Sequence, residues 1–369
     1  MFLSIIVPVF NAEKYLAQCL DSCLNQDLSS NDYEIICIND GSSDRSEAIL
    51  KRYANQFSNI IVVSKENEGC SAARNVGLNL ACGDYVWFID NDDVIAANIL
   101  GSLKAIEAEM KGEKDSYVFP YHSFIDSDIS EDGTVTYEHF NPHGAMIGNA
   151  LWPQIFKREF LIKNGLSHRG KRKDVPFYGF GMDALFIFEC KKRGMISAFI
   201  FEDRPIYFYR RAENSITTDY SLTASLARVR EYLDILPIIQ SYYHEEQLRN
   251  GLATIETANF LMDYVQTLLD TVAQLPENER QKNKLLLKQA GYYPFEQPPE
   301  CTYRYHDFIS HKKGFEKLCG LLRYYSINPW GLEMATLYYR ISRCKKKLRY
   351  TLRQNSLALF IKKKLKEAN

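Results

Sequence analysis

Four short apolar runs alternate with helix-like stretches through the first hundred residues, and this alternation limits the fold more than any other feature. FLSIIVPVF (2–10), EIICI (34–38), NIIVV (59–63) and YVWFI (85–89) are rich in β-branched and aromatic residues. Between them lie helix-compatible stretches, residues 13–24 and 71–80 the clearest. Nearly continuous apolar strands separated by helices predict a mostly parallel sheet covered on both faces. In such sheets ligands bind beyond the carboxyl ends of the strands, so the residues that follow each run are where chemistry is expected.

Each run has a cluster of candidate residues at or just beyond its end. These are Pro8-Val9-Phe10-Asn11, Asn39-Asp40-Gly41, Asn67-Glu68-Gly69 and Asp90-Asn91-Asp92-Asp93. The last crowds three carboxylates into four residues, which repel unless a cation is shared. Mg²⁺ or Mn²⁺ suits such oxygens, typically one or two carboxylates with phosphate oxygens completing the shell. Asp90 and Asp92 are read as metal and ligand residues, whereas Asp93 reads as the N-cap of a helix beginning at Val94-Ile95. Without cation and diphosphate, the cluster is expected to be solvated and loosely ordered.

Beyond residue 115 the alternation breaks down. DSYVFPYHSF reads as a strand, residues 126–140 as an exposed hairpin turning at EDGT, DALFIFECKKRG as a helix, and ISAFIF and IYFYR as further strands. After about 220 the pattern is mostly helical, with a Pro-containing loop at YYPFEQPPE (292–300).

The formal net charge of −1 hides an asymmetry: residues 340–369 hold eleven Lys/Arg and one acid, leaving a net −11 on the remainder. In RISRCKKKLRYTLRQNSLALFIKKKLKEAN, Leu348, Leu352, Leu359, Phe360 and Leu365 stand among the cations. This tail reads as a basic amphipathic helix for an anionic membrane surface or, alternatively, for packing on the acidic body. Nucleic-acid binding lacks a supporting motif. The nine cysteines show no CxxC or zinc spacing and read as core residues of a reduced protein. No cleavable leader or spanning run is evident, so a cytoplasmic protein is expected, peripheral at the inner face of the plasma membrane if the tail binds there.

SIIVPVFNAEKYL, EIICINDGSSD, NEGCSAARNVG and FIDNDD, in this order, resemble the nucleotide-binding half of the family 2 glycosyltransferases of bacterial polysaccharide biosynthesis. LWPQIFKREFL, GFGMDALFIFECKKRG and PIYFYRRAENSIT extend the resemblance to about residue 220. It implies a GT-A fold over 1–220, a Rossmann-like, mostly parallel sheet with flanking helices, and a mainly helical region over 221–369 with the basic tail at 340–366. It implies that Asp40 meets the nucleotide base, that Pro8, Phe10 and Glu13 line the nucleotide pocket, and that Asn67 and Arg74 lie nearby. Asp90-Asn91-Asp92 corresponds to the DxD motif: Asp90 faces the ribose or a metal-bound water, and Asp92 ligates Mn²⁺ or Mg²⁺. Asp183 matches the catalytic base, although read alone it is equally a helix N-cap. The usual Glu before it is Met182 here, which bears on acceptor positioning.

Trp152 matches an aromatic near the sugar, but a large aromatic is as readily a core residue. Arg210 and Arg211 match diphosphate or acceptor contacts, or are surface arginines. His122, His139, His143 and His168 show no ligand spacing and read as structural. The implied reaction is inverting transfer of a sugar from a UDP-sugar donor to a saccharide or lipid-linked acceptor in capsule, exopolysaccharide or lipopolysaccharide assembly. A catalytically impaired nucleotide-sugar-binding partner, suggested by Met182, is the competing reading. A sugar nucleotidyltransferase ranks last, since VPVFNAEKYL lacks a Gly-rich basic loop.

Overall fold

In the computed structural model the residues described are 1–130, 134–137, 150–169, 181–200, 202–211, 219, 221–251 and 253–289. The chain divides into two compact units, Met1–Ala227 and Arg228–Asn369. His139, His143, the Pro-containing loop and the basic tail lie outside the described residues.

The first unit alternates as the sequence predicts: β1 (Leu3–Val9), α1 (Leu16–Leu24), β2 (Tyr33–Asn39), α2 (Ser46–Gln56), β3 (Ile60–Ser64), α3 (Cys70–Leu80) and β4 (Tyr85–Phe88). Then come β5 (Val94–Ile95), α4 (Leu100–Glu109), β6 (Ser116–Val118), β7 (Tyr121–Phe124), β8 (Gln154–Lys157), α5 (Arg158–Lys163), α6 (Met182–Lys192), β9 (Ser197–Phe199) and β10 (Tyr207–Arg210). The main sheet runs β3-β2-β1-β4-β8-β6-β9. Its first four strands are parallel, with Ile5 opposite Ile35 and Trp87, while β8 is antiparallel to β4 and β6. The result is the expected mostly parallel sheet flanked by helices.

Apolar residues run continuously along β1 because both of its faces are covered. Ile5, Val7 and Val9 pack with Leu16, Leu20 and Leu50 of α1 and α2. Ile6 points the other way, with Ala73 and Leu78 of α3 and Phe186 and Ile187 of α6. Burying each such aliphatic side chain contributes roughly 1.5–3 kcal/mol. Trp87 is buried as well, edge-on to Phe119 at 4.8 Å, and its indole N–H donates to Trp152 O (2.7 Å).

DSYVFPYHSF is two strands rather than one. β6 joins the main sheet, and β7 joins a second, three-stranded sheet ordered β5-β10-β7. Between them Pro120 lacks an N–H and cannot continue a ladder, although its carbonyl accepts from Ile206 N (2.9 Å). Of the expected hairpin, a 3₁₀ turn at Asp126–Asp128 and an antiparallel bridge between Ile129 and Val135 are described.

The second unit is helical where described: α7 (Leu222–Asn250), which starts within the first unit and contains Pro237, α8 (Ile255–Gln274) and α9 (Glu277–Gln289). Thr254 caps α8 by accepting from Thr257 N (3.3 Å). Among the described residues no helix is long and apolar enough to cross a membrane.

Candidate active site

The carboxyl ends of β1, β2 and β4 lie side by side because these strands are parallel neighbours. Asp40 N donates to Val9 O (2.8 Å), Lys65 N to Asn39 O (2.9 Å) and Asn91 Nδ2 to Pro8 O (2.8 Å). Asp40 sits among them, 2% exposed. Its carboxylate accepts from Lys65 Nζ (2.7 Å) and from the backbone N–H groups of Glu68 (2.9 Å) and Gly69 (2.6 Å). Gly69 takes φ 90° before α3, a backbone state that residues with a Cβ rarely adopt, and so the loop can turn its amides onto Asp40.

Asn67 is exposed on that loop, and Phe10 is exposed at the end of β1. Pro8 is buried within β1 and reaches the strand ends through its carbonyl. Glu13 accepts from Arg45 N (3.0 Å) and Nε (3.1 Å), which holds its carboxyl below the usual range. Pro8, Phe10 and Asp40 thus lie at the ends of β1 and β2, with Glu13 and Asn67 in the segments that follow β1 and β3.

The segment 90–93 is anything but loose, which corrects the expectation of solvated carboxylates. Asp90 Oδ1 accepts from Arg74 Nη2 (2.7 Å), and Asp93 N donates to Asp90 O (3.1 Å). Asp93 does not cap a helix: Val94–Ile95 forms β5, and the next helix starts at Leu100. Asp93 is instead fully buried, accepting from Tyr207 OH (2.5 Å) and Arg210 N (2.7 Å). Pairing of β5 with β10 brings those donors to it, Phe208 lying opposite Val94. Burial and the neighbouring carboxylates push Asp93 well above the ordinary carboxylate range. Asp92 is half-buried, and among the described residues no other residue donates to its carboxylate. Burial first, then the Asp90 charge, pushes it up to about 6.

Asp183 approaches the same strand ends from α6, which packs on the same face of the sheet as α3. Gly181 is the N-cap of α6, so Asp183 lies in the first turn and not at the cap. Its Oδ1 accepts from Arg74 Nη1 (2.7 Å). One buried guanidinium thus bridges Asp90 and Asp183, each about a third exposed. Burial raises Asp183 above the usual range, with Arg74 opposing and Asp90 adding to the rise. Met182, where the resemblance expects Glu, is buried.

Trp152 stacks on Tyr207 (4.9 Å) and Tyr209 (5.2 Å) and meets Tyr121 edge-on (4.7 Å), partly buried against the core. Arg210 is not a free cation facing a phosphate. It is 1% exposed, and its guanidinium donates to Asp92 O (Nε, 2.6 Å), Asp126 Oδ1 (Nη1, 2.6 Å) and Gln18 Oε1. Arg211 is exposed.

Sequence reasoning missed Lys65 and Tyr207, and read His168 as structural. Lys65 could have been suspected as the one cation beside the third strand end. Tyr207 reads as one aromatic among several in PIYFYRR, with nothing to mark its partner. His168 is 3% exposed, stacked on Phe186 (4.1 Å) and edge-on to Phe88 (4.8 Å), with neither ring nitrogen hydrogen-bonded.

Among the described residues no group of three or more His, Cys, Asp or Glu side chains is arranged as a metal site. The donor set nevertheless fits a hard divalent cation. The carboxylate of Asp92 is half-buried with Asp90 beside it, and among the described residues no side chain donates to it, so phosphate oxygens and water would fill the remaining positions.

Parallel strands flanked by helices, with Arg74 bridging Asp90 and Asp183 at their carboxyl ends, define an α/β domain. Residues 4–131 match glycosyl transferase family 2. The chain is 40% identical over 162 residues to a glycosyltransferase of Streptococcus pneumoniae, GlyA, covering 44% of this chain and 21% of that protein. It is 40% identical over 102 residues to a poly(ribitol-phosphate) beta-glucosyltransferase of Bacillus spizizenii, 27% of this chain and 16% of that one. Against an uncharacterized glycosyltransferase of Bacillus subtilis, EpsJ, identity is 45% over 227 residues, 58% of this chain and 62% of that protein. The chain thus spans less than two thirds of each of these relatives.

Proposed function

We propose that this chain transfers a sugar, with inversion, from a UDP-sugar donor to a saccharide or lipid-linked acceptor in the assembly of a cell-surface polysaccharide. The observation that carries this reading is the Arg74 bridge, which places a donor-side carboxylate, Asp90, and a candidate base, Asp183, on one guanidinium. Asp40, with Phe10, Glu13 and Asn67 around it, receives the nucleotide. Asp92, aided by Asp90, would hold Mn²⁺ or Mg²⁺, whose charge when bound offsets that of the donor diphosphate. Asp183 accepts the proton of the acceptor hydroxyl as its oxygen bonds to the anomeric carbon. The bond from that carbon to the diphosphate oxygen breaks, and UDP leaves with the electron pair. A carboxyl raised by burial, as Asp183 is, makes a stronger base than a free aspartate. The names of the relatives support the setting, since one glucosylates a poly(ribitol-phosphate).

Incubation with a panel of UDP-sugars and Mn²⁺ tests this. Release of UDP that Asp92→Ala abolishes is the expected result, and turnover indifferent to that change overturns the metal assignment. Asp183→Asn is expected to keep UDP binding and lose transfer. Met182 favours the second reading, a nucleotide-sugar-binding partner without turnover. Tight UDP binding with no release from any donor–acceptor pair would decide for it.

A further inference from the structure

Resting on that reading, we infer that Asp93, Tyr207 and Arg210 form a positioning unit that fixes the backbone of the 90–93 segment so that the Asp92 carboxylate is presented to the cation. Most of the segment's other polar groups have a partner, one carboxylate oxygen of Asp90 among them. Asp90 N donates weakly to Tyr207 OH (3.4 Å), and Asp90 O accepts from Cys19 Sγ (3.5 Å) and Asp93 N (3.1 Å). Asn91 is tied to Pro8, and Asp90 Oδ1 to Arg74. Asp92 O is held by Arg210 Nε, while both Asp93 oxygens are filled from β10. Tyr207 and Arg210 therefore each grip the segment twice, from a strand more than a hundred residues away in sequence.

The unit is itself braced. The guanidinium of Arg210 lies over the rings of Tyr15 (4.2 Å) and Phe124 (4.5 Å). It is countered by Asp126, which also accepts from Lys14 Nζ (3.0 Å) and Tyr15 OH (3.1 Å). An arginine so enclosed, 1% exposed, is shielded from a diphosphate, and a planar fork suits a fixed carbonyl and carboxylate better than a lysine does. Ligand-orienting groups outside the coordination shell typically govern metal affinity by 10–100-fold when removed. Here they act on a backbone carbonyl and an adjacent carboxylate instead of on the ligand atoms, but the effect on Asp92 is of the same kind.

The test is Mn²⁺ binding by the full chain with UDP present, read from the free-Mn²⁺ electron paramagnetic resonance signal, alongside UDP binding without metal. Tyr207→Phe and Arg210→Lys are expected to weaken Mn²⁺ binding about 10-fold or more, with metal-free UDP affinity unchanged within about two-fold. Thermal midpoints are recorded for both variants, and Asp126→Asn, which keeps an acceptor for Arg210, is expected to retain most of the wild-type Mn²⁺ affinity. Mn²⁺ titrations of both variants that superimpose on the wild type, even with a lowered thermal midpoint, overturn the inference and leave a purely structural role. A wild type whose UDP binding is indifferent to Mn²⁺ sinks the metal reading itself, and this inference with it.

Discussion

Arg74 joins two carboxylates that the sequence keeps far apart, and His168 lies close enough to feel its charge. Burial first and Arg74 second hold His168 well below the usual histidine range. The unfolded chain takes up a proton near pH 6.5 and the folded one resists it. Below that pH the unfolded state binds more protons, so stability is intact above about pH 6.5 and falls as pH drops, by up to about 1.4 kcal/mol per pH unit. His168→Phe keeps the stack on Phe186 and removes the titration. Urea unfolding followed by tryptophan fluorescence between pH 7 and 5 is expected to show the variant gaining on the wild type as pH falls. Parallel curves would count against it. Titrations of Asp92, Asp93 and Asp183 are common to both proteins and cancel in the comparison. At this scale the sequence was legible wherever a residue's work is local. Asp40, Asp90 and Asp92 follow their strands, and their crowding announced itself. Asp93 was misread because its partners come from β10, and capping statistics weigh only the residues next door. Arg210 looked like a surface cation for the same reason.

Helix α3 shows why strand and helix assignments were easier than their packing. Its period and its Gly69 entry are visible in NEGCSAARNVGLNL, as the whole β1–β4 alternation is, because each depends on neighbours a few residues away. Gly77 looks in sequence like a weak point that alanine would improve by about 1 kcal/mol. The structure reverses that expectation. A Cβ at Gly77 would stand 2.3 Å from Ile6 Cγ2, and Ile6 is fully buried in a central strand. Gly77→Ala is therefore expected to destabilise by roughly 1–3 kcal/mol through overpacking. It should also shift α3 and so the Arg74 it carries. Denaturant unfolding of Gly77→Ala, Ile6→Ala and the double variant checks this. The double variant is expected to be less damaged than the sum of the two, since removing Ile6 Cγ2 makes room. Additive losses would mean that α3 does not bear on β1 at this point. The same reasoning accounts for DSYVFPYHSF: strand propensity was legible, but its division between two sheets depends on partners at β8 and β10.

At the scale of the molecule, composition conceals what distribution reveals. A chain of net charge −1 carries +10 in residues 340–369 and −11 elsewhere. The helical character of the described residues between 222 and 289 could be read from pattern. The role of the basic stretch could not, because a basic amphipathic sequence satisfies an anionic bilayer and an acidic protein surface alike. We propose the bilayer. Each Lys or Arg near an anionic surface contributes about 1 kcal/mol, an attraction that decays within a Debye length of about 8 Å at physiological salt. Packing on the chain's own acidic body leaves fewer cations to offer and predicts little affinity for lipid. Vesicles of phosphatidylglycerol and phosphatidylcholine are therefore expected to sediment the full chain at 0.1 M salt and release it at 1 M, where the screening length is about 3 Å. Replacing Lys345, Lys346, Lys347, Lys362, Lys363 and Lys364 with Gln should abolish sedimentation while leaving UDP binding untouched, since no predicted nucleotide contact lies in that stretch. Binding that survives 1 M salt, or that the six substitutions leave intact, would place the attraction elsewhere on the molecule. Failure of the unsubstituted chain to sediment would favour the acidic body as the partner of the tail.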